Sequence, residues 1–161
     1  MLKELVDLLT SRELEPEELE STVAAIDDAA DDPDLDWLYE PTSEELMQTA
    51  IIFKLNDFTA VGDKIDEVHE RISDFFADPL PDYPLHEGGR YFLPDEYFVW
   101  LDQQLIQRAK DNGGYELLLL GQHYSEELHA IAVLRADTAR ILELATELAL
   151  IIERATQRNL A

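Results

Sequence analysis

The sequence predicts an α+β fold: a mostly helical single domain spanning residues 1–161, with a small sheet of about three strands that includes a C-terminal β-hairpin. Three observations predict it. Apolar residues recur at helical spacing along most of the chain. Two apolar runs at 115–120 and 128–134 flank a polar reversal, as the arms of a hairpin do. A chain of 161 residues, 46% hydrophobic and 30% charged, has the size and make-up of one globular domain.

The elements follow in order. Leu2, Leu5, Val6 and Leu9 mark a first helix. Pro16 suits a first helical position, and Glu17, Glu18 and Glu20 suit the positive end of the helix dipole. Leu19, Val23 and Ile26 give this second helix a narrow apolar stripe, and it should stop near Asp31, before Pro33. After a loop at 32–41, Thr42 or Ser43 caps a third helix running through Leu46, Ala50 and Phe53 to about Asn56. Residues 58–61 are short and β-prone, which predicts a strand, and Gly62 and Asp63 turn the chain. Ile65, Val68, Ile72, Phe75 and Phe76 predict an amphipathic helix over 64–77. Residues 78–94, with four prolines and two glycines, predict a long structured loop rather than a linker, because Tyr83, Leu85, Tyr91 and Phe92 lie in it.

Pro94, Asp95 and Glu96 open the next helix, with Phe98, Leu101 and Leu105 on its core face and Gly113 as its left-handed stop. The unbroken apolar run of the strand at 115–120 predicts burial on both faces. Asp137 or Thr138 caps a last helix lined by Ile141, Leu144, Ala145, Leu148, Ile152 and Ala155. Leu142, Ala149 and Ile151 widen that stripe, so the helix is deeply buried or makes a homodimer contact.

Charge is the strongest compositional signal. Thirty-six acids against twelve bases give a formal net charge of −24. Such a surface repels nucleic-acid phosphate and anionic membrane, and it speeds encounter with basic proteins. Residues 1–40 carry fourteen acids and two bases, so about a quarter of the chain holds half the net charge. That acidic helical segment precedes an α/β core over 57–156 and is either an interaction face or a solvated helical surface. Acidic surfaces with few lysines also suit a high-salt cytoplasm, and the chain has four lysines. No uninterrupted apolar run approaches the about 20 residues of a membrane helix, and residues 1–9 interleave charge with apolar residues, unlike a signal peptide. A cytoplasmic protein is expected. The absence of cysteine excludes disulfides, thiolate nucleophiles and thiolate metal sites.

Chemistry-bearing patterns are few. Asp32, Asp34 and Asp36 alternate like the start of a calcium loop, but Trp37 stands where glycine should turn the chain and Ser43 where a bidentate glutamate should close it. His123 and His129 flank the hairpin turn and, with Glu126 or Glu127, could approach a metal; surface histidines explain the same residues. His69 lies at the edge of a polar helix face, and His86 lies in the proline-rich loop. No nucleophile elbow or phosphate loop is present, so neither an active site nor a cofactor is expected. Trp37 and Tyr39, set among Asp27, Asp28, Asp31, Asp32, Asp34, Asp36 and Glu40, form the best candidate binding surface. Aromatic anchors ringed by acids suit a basic protein partner, whereas Trp37 covering the core beneath the loop would explain it structurally.

The segment Gly114-Tyr115-Glu116-Leu117-Leu118, a polar turn, the strand at 130–134 and an Asp-led helix together resemble a family of uncharacterised bacterial domains with a "GYELL" strand. The resemblance spans roughly residues 57–156 and implies a helix–strand–helix unit before the hairpin, but no activity. The expected function is therefore that of a non-enzymatic acidic protein masking a basic partner, such as a toxin or nuclease, as an immunity protein or antitoxin does. The alternatives are an accessory or housekeeping domain of a salt-adapted organism, and a metal-binding protein or hydrolase.

Overall fold

Backbone pairing centres on an antiparallel sheet of four strands. The computed structural model describes residues 1–82, 94–108, 113–121 and 127–157. Strands β1 (Thr59–Gly62), β2 (Tyr115–Leu120), β3 (Leu128–Leu134) and β4 (Ile152–Arg154) lie in the order β1-β3-β2-β4. The hairpin register places Leu118 opposite Ile131. Strand β2 is buried on both faces, as its unbroken apolar run predicts. Leu118 and Leu120 pack into one apolar cluster, and Leu117 and Leu119 into a second. Alternation along the strand sends neighbouring side chains to opposite layers.

The first layer comprises α1 (Leu2–Leu9), α2 (Pro16–Asp27), α3 (Ser43–Lys54) and α6 (Thr138–Glu147). Leu5, Leu9, Ile26, Ile141 and Leu144 form its core with Leu118 and Ile131. Two bidentate pairs join this end of the layer, one between α1 and α6 and one between the turn after α1 and the residue capping α6. Arg140 meets Glu4 at 2.9 and 2.8 Å, and Arg12 meets Asp137 at 2.6 and 3.0 Å. Helix α2 closes at Asp27, and two single 3-10 turns, Ala29–Asp31 and Pro33–Leu35, carry the chain toward α3. Of the two residues expected to cap α3, Thr42 does so, in a reciprocal capping box with Glu45.

The second layer is α4 (Ile65–Ser73) and α5 (Pro94–Ile106). Val68, Ile72, Tyr97, Phe98, Leu101 and Leu105 bury against Leu117, Leu119 and Ala130. Helix α4 is shorter than the periodicity predicts, ending at Ser73, with Phe75 and Phe76 in the turn beyond. Helix α5 ends at Ile106, before the predicted glycine stop. Gly113 and Gly114 instead supply consecutive positive φ angles of 78° and 90° at the entry to β2. Among the described residues no helix is long and apolar enough to cross a membrane.

The largest departure from the sequence reading is at the C-terminus. The apolar stripe from Ile141 to Ala155 predicts one helix; the chain makes a helix and then a strand. Leu150 N–H donates to the Ala145 carbonyl at 2.8 Å and Ala149 N–H to Thr146 at 3.2 Å, the pair of bonds of a Schellman stop. Ala149 occupies the left-handed position usually held by glycine, with φ of 56°. The reversal lays Ile152–Arg154 against β2 as the fourth strand, not counted in the sheet of about three. The wide stripe is thus divided between a helix and a strand and does not form one helical face.

Candidate functional site

The predicted binding residues lie along the path from the end of α2 to the start of α3. Asp27 is the last residue of α2 and Asp28 its cap, both exposed, with no basic residue in the last turn. Carboxylates at that end oppose the helix dipole, whereas Glu17 and Glu18 in the first turn complement it. Local helix stability therefore accounts for the acids at one end of α2 and not for those at the other.

Asp32 has a structural task. One carboxylate oxygen accepts the Asp34 N–H at 2.9 Å, and the other lies 3.1 Å from the Lys54 ammonium. The Asp34 N–H, then Lys54, holds the Asp32 carboxyl below the usual carboxylate range. Among the described residues no basic side chain pairs with Asp27, Asp28, Asp31, Asp34 or Asp36, and all five are exposed. The alternating aspartates do not converge as a calcium loop would, because Asp32 is turned to Lys54 and its own backbone.

Trp37 does not seal the core. Leu35 does, at 4% exposure, while Trp37 is 49% exposed and Tyr39 88%. The Trp37 indole N–H donates to the Asp34 carbonyl at 2.8 Å, and its ring lies 5.9 Å from that of Phe53. The first contact limits the ring's rotation and leaves it at the surface among acids. Phe53 is the residue sequence reasoning left out of this surface: named only as part of the third helix, it is 37% exposed beside Trp37. Its contact with a loop residue sixteen positions away carries no periodic signal. Glu40 is exposed, with a left-handed φ of 41°.

A second site was not legible in the sequence. Ile65, Asp66, His69, Glu70, Ser73 and Asp74 of α4 and its end line a cleft of about 500 Å³ with Pro79, Leu80, Asp82 and Tyr97. His69 Nε2 lies 3.0 Å from the Pro81 carbonyl and Nδ1 2.8 Å from the Tyr97 hydroxyl. A carbonyl only accepts, so Nε2 carries the proton, and the neutral ring's Nδ1 accepts from the tyrosine O–H. Burial holds the His69 imidazolium below its usual pKa and raises that of Tyr97. Ser73 Oγ accepts the Leu80 N–H at 2.9 Å, fixing the opposite wall.

Other candidates have structural partners. Glu116, nearly buried on β2, sits 3.3 Å from Arg135 and 3.4 Å from Arg154, and Arg135 also meets Asp102 at 2.5 Å. His129 is buried in β3 at 5% exposure, which lowers its pKa; it is not a surface histidine. His86, His123 and Glu126 lie outside the described residues. Among the described residues no three histidine or carboxylate side chains are grouped so as to hold a metal ion. No protein-family model matches the chain, and neither a curated protein nor a solved structure is significantly similar to it.

Proposed function

We propose that this protein is a non-enzymatic acidic binding protein that masks a basic protein partner, as an immunity protein or antitoxin masks a basic toxin or nuclease, in the cytoplasm. One observation carries the reading. Trp37 and Phe53 are exposed side by side, and Tyr39, Asp27, Asp28, Asp31, Asp34 and Asp36 are exposed along the same stretch, the aspartates with side chains that neither make a capping hydrogen bond nor pair with a basic residue among the described residues. Aromatic anchors contribute burial on binding, and the surrounding charge steers a cationic surface and pairs with it. Masking is then steric and electrostatic occlusion of the partner's cationic cleft. The "GYELL" pattern bears on fold alone and contributes nothing to this reading.

The test is affinity capture from the native host's lysate with a salt-ramp elution, run beside a Trp37→Ala, Asp34→Lys, Asp36→Lys variant of intact fold. The wild-type protein should retain one dominant basic protein released at a defined salt step, and the variant should lose it. Equal retention by both would remove this face from the site. A second reading is favoured by the net charge of −24 with only four lysines: an accessory domain adapted to high salt. Circular dichroism separates the two. A salt-adapted domain unfolds in dilute buffer and recovers in molar KCl, whereas a binding protein of ordinary solvent is folded in both.

A further inference from the structure

We propose that the cleft between α4 and the wall carrying Pro79, Leu80 and Asp82 is a binding site for a small organic cation: an ammonium or guanidinium group on an apolar, ring-sized body. It is separate from the Trp37 surface and does not rest on the masking function. The cavity is the primary observation. Its volume of about 500 Å³ lies inside the range of about 300–1,000 Å³ typical of small-molecule pockets. Its floor is apolar, since Leu80 is 6% exposed, Tyr97 is fully buried and Ile65 is half-buried.

The polar groups of that floor are already committed. Both His69 ring nitrogens, the Tyr97 hydroxyl and the Ser73 oxygen have protein partners, which fixes the shape of the cleft in the absence of ligand. His69 is held neutral there and so adds no positive charge.

Charge complementarity selects the ligand. Asp66 and Glu70 of α4 and Asp74, the residue that caps it, recur at intervals of four, one above another on a single face, and Asp82 stands on the other wall. All four are exposed, and among the described residues no basic side chain pairs with any of them. Like charges at that spacing repel one another. A cation seated over the floor relieves the repulsion, whereas an anion of the same shape adds to it. An apolar body is required as well, because exposed ion pairs alone contribute little.

Three ligands of one shape provide the test: tyramine, its neutral alcohol analogue tyrosol, and the anion 3-(4-hydroxyphenyl)propionate. Each is titrated into the full chain while the His69 imidazole resonances are followed by NMR. Tyramine should shift those resonances saturably, bind at least about tenfold more tightly than tyrosol, and leave the anion without effect. A Glu70→Gln, Asp66→Asn variant, whose fold is checked by circular dichroism, should weaken tyramine by about tenfold or more. Asp34→Lys on the other surface should leave the titration unchanged. Equal binding of tyramine and tyrosol, undiminished binding to the double variant, or no His69 shift at about 10 mM tyramine would each overturn the proposal.

Discussion

Replacing Gln48 with leucine is expected to lower stability by about 2 kcal/mol, a figure built from the two backbone groups it would leave without this partner. The Gln48 side chain is 4% exposed on α3 and reaches the turn where α6 gives way to β4. Its amide nitrogen donates to the Gly121 carbonyl at 2.7 Å and the Ile151 carbonyl at 3.0 Å, while its oxygen accepts the Ile151 N–H at 3.0 Å. The Ile151 carbonyl keeps a second donor, the Gly121 N–H at 2.8 Å. Leucine therefore deprives two backbone groups of this partner, the Gly121 carbonyl and the Ile151 N–H, at about 1.5 kcal/mol each. About 1 kcal/mol returns from burying an apolar side chain in place of an amide. The net loss corresponds to a fall in Tm of about 4–8 °C for a chain of this length. Urea and thermal denaturation of Gln48→Leu against wild type measure it. Gln48→Glu should be worse at neutral pH than in mild acid, because an ionised carboxylate would face two carbonyl oxygens. A Gln48→Leu midpoint within about 0.5 kcal/mol of wild type, at an unchanged denaturant slope, would refute the reasoning and show that this tie does not hold β4.

Other outcomes follow from the backbone and from His69. Ala149→Gly should stabilise the protein by about 1 kcal/mol, since Ala149 bears a left-handed φ of 56° that glycine adopts freely; a lower Tm for the glycine variant would count against the Schellman stop. Gly114→Ala should cost more than Gly113→Ala, about 2 kcal/mol or more against about 1 in urea denaturation. Both glycines have positive φ, but a Cβ at Gly114 would lie 2.6 Å from Ile106 Cα, while one at Gly113 meets nothing within 4 Å. Because burial lowers the pKa of His69 from 6.5, the unfolded chain binds more protons than the folded one as pH falls through that value. The stability associated with a neutral His69 is therefore complete above the unfolded pKa and is lost in that window. The urea midpoint of wild type relative to His69→Gln should fall between pH 8 and pH 5; a flat difference would show that His69 titrates normally.

Amphipathic periodicity and turn residues made much of the fold legible. The spacing of Leu2, Leu5, Val6 and Leu9 marks α1, Pro16 marks the start of α2, and the unbroken run at 115–120 marks a strand buried from both sides. These are local signals, set by side-chain period and backbone preference. The candidate binding surface was legible as a stretch of acids and aromatics, because exposed charge is itself a feature of sequence. Its membership was not. Phe53 joins it through a contact across space, and Asp32 is diverted from it by Lys54, twenty-two positions away. The cleft at His69 had no sequence signature, since it requires Pro81 and Tyr97 to meet one face of α4.

The C-terminal segment separates the two kinds of information most clearly. By itself the sequence determined that residues 141–155 are apolar enough to be buried, and a helical stripe accommodates that pattern. Tertiary structure decided that the helix stops at Glu147. An alanine takes the left-handed turn without the glycine that would announce it, and the open edge of β2 and the Gln48 amide hold the chain beyond. Backbone groups at a sheet edge must find partners, and that requirement belongs to the assembled sheet, not to the segment that satisfies it.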